Sequence, residues 1–125
     1  MIKKDLKVAV LGAGAMGCLF GGLLAEKGLD VSLIDVWKEH VEAINKNGLK
    51  MDGHGGDRFI KIKATVDPKT LDKVDAIIIM CKATALEQAL INSKNIIGDN
   101  TVLMSFQNGI GHEAIMQKIA GKEKV

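Results

Sequence analysis

At 125 residues the chain has the length of one ordinary domain with a single core, and 47% hydrophobic with 26% charged residues places it with folded proteins rather than disordered or fibrous ones. The 17 basic and 15 acidic residues are interleaved for a net charge of +2, and Phe20, Trp37, Phe59 and Phe106 are the only aromatics, a composition that argues against a nucleic-acid surface. Cys18 and Cys81 are isolated, which points to reduced cytoplasmic thiols and no metal site, and the apolar start (MIKKDLKVAVLGAG) is too short for a signal peptide or a membrane span.

Residues 7–11 (KVAVL) form a short β-branched run ending at a glycine cluster, the pattern of a buried strand. Met16, Leu19, Phe20, Leu23 and Leu24 then recur at helical spacing, which predicts a helix over 16–27 stopped by Gly28. Residues 30–34 (DVSLI) predict a second strand. Trp37, Val41 and Ile44, spaced by four and three, predict an amphipathic helix over 38–47 closed by Gly48. Residues 49–51 and 58–62 flank the tract DGHGGD and predict an antiparallel pair around an exposed turn.

Pro68 opens a polar connector that leads to residues 76–80 (AIIIM), the most continuous apolar run and so a central parallel strand. Residues 84–91, extending toward 97, read as helix, 101–104 (TVLM) as strand, and 113–119 as a last helix ending near Gly121. This alternation predicts an α/β chain with a Rossmann-type, doubly wound, mostly parallel sheet and a short antiparallel insert near residues 49–62. The rhythm calls for a further strand after Val125. Residues 1–125 are therefore expected to be one dinucleotide-binding domain cut from a longer protein.

The chemistry begins at Gly12, Gly14 and Gly17, which with Ala13, Ala15 and Met16 spell GAGAMG between a predicted strand and a predicted helix. In G-x-G-x-x-G the first glycine permits a tight turn, the second lets a pyrophosphate approach the backbone, and the third lets helix and strand pack closely. Helix amides and the helix dipole then face the phosphates. A ligand-free close turn is the bland alternative, and a methyltransferase also uses a glycine loop, but the complete motif in this context favours a dinucleotide. Asp35, 18 residues after Gly17, stands where a carboxylate accepts hydrogen bonds from the adenosine ribose and repels a 2′-phosphate. NAD is thereby favoured over NADP, with a helix-capping role for Asp35 as the alternative.

Lys82 and the run Gln107, Asn108, Gly109 follow the carboxyl ends of the third and fourth predicted parallel strands, the edge at which such sheets bind ligands. Each has a bland reading, as a loop lysine and a turn dipeptide. His40 and His54 read as surface residues and His112 as part of a helix start rather than as general acids. The methionines fall mostly on core positions.

Taken in order, VLGAGAMG, CKATALEQAL and SFQNGIGHE resemble the amino-terminal domain of the ketopantoate reductase (2-dehydropantoate 2-reductase) family, across nearly the whole chain. The resemblance implies reduction of 2-dehydropantoate to pantoate for pantothenate biosynthesis, with NAD(P)H, commonly NADPH. It places Lys82 and Asn108 in the cleft beside the nicotinamide ribose and a small anionic keto acid. The principal proton donor, a lysine, and a substrate-binding glutamate would come from a helical carboxyl-terminal catalytic domain missing here, so that this piece alone would be inactive. The face meant for that domain also allows a homodimer. The competing reading from another class is a stand-alone dinucleotide-sensing regulatory module.

Overall fold

Both β1 (Lys7–Leu11) and β6 (Val74–Ile79) are apolar along nearly their whole length because both of their faces are covered. The computed structural model describes residues 6–51, 58–81, 83–105 and 112–121. Its main sheet has five parallel strands in the order β5-β2-β1-β6-β7, where β2 is Asp30–Ile34, β5 Lys63–Thr65 and β7 Ile97–Ser105. Along β1 the side chains alternate between two cores. Val8 and Val10 join Leu33, Val41 and Ile44 on one side, and Ala9 and Leu11 join Ile77, Leu86, Leu90 and Met116 on the other.

The helices divide accordingly. α1 (Ala15–Glu26) and α2 (Lys38–Asn47) belong to the first core, while α3 (Ala83–Asn92) and α4 (His112–Ala120) belong to the second. This is the doubly wound arrangement that the alternation of elements predicts. The insert is also as expected: β3 (Leu49–Met51) and β4 (Arg58–Ile60) pair antiparallel as a separate two-stranded sheet. It packs on α1, where a Cβ added to Gly22 would stand 2.7 Å from the Met51 sulfur. Arg58 also donates to Glu26 of α1 at 2.8 Å.

Three expectations need correction. Strand β5 is not predicted, because Lys63–Thr65 follows the run 58–62 directly with no turn residue to mark it off as a separate element. Asn45 of α2 specifies it instead, its amide donating to the Ala64 carbonyl at 2.8 Å and accepting from the Ala64 N–H at 2.9 Å, as a neighbouring strand would. With β5 in the sheet, β6 and β7 are the fourth and fifth parallel strands. The third helix ends at Asn92, where a 3₁₀ turn, Lys94–Ile96, takes over, and β7 starts at Ile97. Met16 and Met104 are exposed, whereas Met51 and Met116 are buried.

Candidate functional site

The site is built where β1 turns into α1. Gly12 donates to the Ile34 carbonyl of β2 at 2.8 Å, and Met80, just after β6, donates to the Leu11 carbonyl at 2.9 Å. The turn is thus anchored to both strands that flank β1. Gly12 has φ +105°, and a Cβ there would lie 2.9 Å from the Cys81 backbone nitrogen, so any side chain at this position meets both strain and backbone. Gly17 is constrained differently, since a Cβ on it would overlap the Gly12 carbonyl oxygen.

Gly14 is the exception, with nothing within 4 Å of an added Cβ. It is the N-cap of α1 and offers no side-chain cap, and Cys18 closes the first helical turn by donating to its carbonyl at 2.9 Å. The first amides of the helix therefore have no intrahelical acceptor and face outward at the positive end of the dipole. The arrangement suits an anion that brings its own oxygens to the backbone.

Ala13, between the glycines, is 3% exposed and is held at both ends of its backbone. Its N–H donates to Asp35 Oδ2 at 2.7 Å, and its carbonyl accepts from His40 Nε2 at 2.9 Å and from the Cys18 thiol at 3.2 Å. Because a carbonyl can only accept, His40 must carry its proton on Nε2. This overturns the reading of His40 as a surface residue: it is half-buried, bonded to the glycine loop and stacked on Trp37 with ring centroids 5.2 Å apart.

Asp35 follows β2 directly and is half-buried. Its Oδ1 accepts from the Trp37 N–H at 3.0 Å. The helix-capping alternative is not realised, for Trp37 is itself the N-cap of α2 and no side chain caps that helix. Each carboxylate oxygen keeps a lone pair for a second donor. A ligand hydroxyl can be accepted without breaking either backbone bond.

A cleft of about 630 Å³ opens beside these groups, lined by Gly12, Gly14, Asp35, Val66, Pro68 and Ala89 among others. Its size is that of a site for a small organic molecule or cofactor. Val36 stands on it 93% exposed, and Cys81 and the buried Ser93 also line it. The Ser93 hydroxyl has no hydrogen-bond partner among the described residues. Burial pushes the thiols of Cys18 and Cys81 above their ordinary value, with the charge of Asp35 adding at both and a backbone hydrogen bond opposing at Cys81, so neither is an activated nucleophile.

The structure thus joins Gly12, Ala13, Gly14, Gly17 and Asp35 at one edge of the sheet, with Ala15 opening α1 and Met16 54% exposed on its first turn. Lys82, Gln107, Asn108, Gly109 and His54 lie outside the described residues, as does the side chain of His112. Sequence reasoning missed the contributions of His40, Val66 and Pro68. None of the three left a usable local signal, and the partner of His40, the Ala13 carbonyl, is distant in sequence.

Comparison with known proteins bears directly on this edge. The family model described as ketopantoate reductase PanE/ApbA matches residues 8–125. The 2-dehydropantoate 2-reductase of Pyrococcus horikoshii is 44% identical over 117 residues, covering 94% of this chain and 38% of that protein. Among solved structures, D-mandelate dehydrogenase in a ternary structure with NADH and anilino(oxo)acetate superposes with a TM-score of 0.89 at 39% identity, covering 95% of this chain and 38% of that one. A PanE/ApbA family ketopantoate reductase from Ralstonia eutropha gives a TM-score of 0.86 at 32% identity, covering 93% and 39%. The chain therefore spans less than two-fifths of the length of these relatives. Their names do not favour a stand-alone sensing module.

Proposed function

The chain belongs to the ketopantoate reductase family, and on that premise we propose that it is the dinucleotide-binding portion of a reductase that converts 2-dehydropantoate to pantoate with NADH. The observation that carries this reading is the pairing of an unobstructed Gly14 with a pre-oriented Asp35 on one cleft. The backbone at Gly14 and the first amides of α1 hold the pyrophosphate. Asp35 accepts from the adenosine ribose hydroxyls, and the apolar lining at Val66 and Pro68 covers the adenine.

When bound, the reduced nicotinamide supplies hydride to the ketone carbon of the substrate. Lys82 and Asn108, placed by sequence at the same sheet edge, orient the small anionic keto acid. The cation offsets the substrate carboxylate, and the carboxamide offers a hydrogen bond as charge develops on the carbonyl oxygen. The principal proton donor, a lysine, and a substrate-binding glutamate are assigned to a helical carboxyl-terminal domain of the complete protein, which acts in the cytoplasm in pantothenate biosynthesis.

NADH is preferred to NADPH because a 2′-phosphate would be brought against the Asp35 carboxylate. A second reading of the substrate, an aryl 2-keto acid, is favoured by the similarity to D-mandelate dehydrogenase. Turnover by the complete protein decides between them, with 2-dehydropantoate and the 2-keto acid of mandelate each offered with NADH. Faster turnover of 2-dehydropantoate is expected, and no rate with it would overturn the substrate assignment while leaving the cofactor assignment in place.

A further inference from the structure

We infer that His40 is a positioning residue for dinucleotide binding, closing a ring of contacts through Asp35, Ala13 and Trp37 that sets the direction of the glycine loop. The inference rests on the dinucleotide reading above. Around the ring, the Ala13 N–H donates to Asp35 Oδ2 at 2.7 Å and the Trp37 N–H donates to Asp35 Oδ1 at 3.0 Å. Trp37 stacks on the His40 ring with planes 27° apart, and His40 Nε2 donates back to the Ala13 carbonyl at 2.9 Å. The carboxylate proposed to receive the ribose and the loop proposed to receive the pyrophosphate are thereby fixed to each other.

The loop needs such a tether. Ala13 lies between two glycines, and backbone rotation about glycine is less restricted than about any other residue. A Cβ added to Gly14 would meet nothing within 4 Å, and no side chain caps α1. The orientation of the peptide leading into Gly14 is therefore set by what holds Ala13. His40 also keeps the Ala13 carbonyl engaged, so that its negative end is not turned toward an arriving phosphate. A loop ordered before binding saves the cost of ordering it during binding. The Cys18 thiol, 3.2 Å from the same carbonyl, is a weak donor and cannot substitute for the imidazole.

The test uses three variants in the complete protein. In His40→Gln the side-chain amide nitrogen reaches the position of Nε2, in His40→Asn it reaches only that of Nδ1, and His40→Leu keeps bulk without a donor. Dissociation constants are measured for NADH, which carries the pyrophosphate, and for adenosine, which lacks it. Loss of one such hydrogen bond is expected to weaken NADH binding about five- to tenfold in the Asn and Leu variants. The Gln variant stays within about twofold of wild type, and adenosine binding stays within about twofold in all three, since only the loop is disturbed. Should the Leu variant not fold, the contrast between Gln and Asn carries the same information.

Unchanged NADH binding in the Asn and Leu variants would overturn the proposal. So would equal weakening of NADH and adenosine, or a Gln variant as weak as Asn. Wild-type protein that binds no NADH would instead defeat the dinucleotide reading itself, which separates the two failures.

Discussion

Gly12 and Gly17 are packed so closely that the carbonyl oxygen of the first occupies the space a Cβ on the second would need. This contact, five residues apart in sequence, fixes how α1 leaves the β1 turn. Gly17→Ala should therefore cost about 1–3 kcal/mol or more, the range for overpacking against a rigid neighbour, because here the neighbour is backbone. A thermal melt should show a clear fall in Tm.

Gly14→Ala separates binding from folding. Nothing lies within 4 Å of the added methyl, so Tm should hardly move. NADH affinity should fall about tenfold, the scale of one lost charge-assisted hydrogen bond, because the methyl occupies the space proposed for the pyrophosphate. Calorimetric titration of the variant beside its melting curve checks both halves.

The origin of these contrasts explains what could be read from sequence. GAGAMG declares a turn between strand and helix because glycine spacing has a steric cause, and the strand and helix faces follow from apolar periodicity. Strand β5 was illegible because Asn45, 19 residues before Ala64, supplies its specification. His40 was misread for a similar reason. Its partner, the Ala13 carbonyl, is 27 residues away, and nothing local distinguishes a bonded imidazole from a solvated one. Asp35 is read from its distance to the glycines, and the structure sets it beside them, whereas its two backbone donors are visible only in three dimensions.

The ion pair between Arg58 and Glu26 should give the insert a pH-dependent hold on α1. The hydrogen bond from Arg58 is the main reason the Glu26 carboxyl sits below its ordinary value, with burial opposing and the charge of Arg58 adding. A carboxyl lowered on folding contributes stability that is fully present above its unfolded value, about 4.3, and is lost as pH falls through the lower folded value. Arg58→Gln should therefore be less stable than wild type at neutral pH, and the gap should narrow as pH drops below about 4. Both side chains are partly exposed, so added salt should shrink the neutral-pH gap as well. Urea denaturation across pH and salt measures it.

Cys81 offers a probe of the cleft. Burial holds its thiol above the ordinary value, with a backbone hydrogen bond opposing and the Asp35 charge adding, so alkylation by iodoacetamide at neutral pH should be slower than for an exposed cysteine. The rate should climb as pH is raised. Saturating NADH should slow it further, because Cys81 lines the cleft proposed for the cofactor. Peptide mapping after timed alkylation distinguishes Cys81 from Cys18.

Asp35 and Gly14 are proposed to act together on a dinucleotide without a 2′-phosphate, and parallel titrations of the complete protein with NADH and NADPH test that most directly. NADH should bind at least about tenfold more tightly, and Asp35→Asn should bring the two ligands closer by removing the charge that opposes the phosphate. Equal affinities for NADH and NADPH in the wild type, or tighter binding of NADPH, would contradict it.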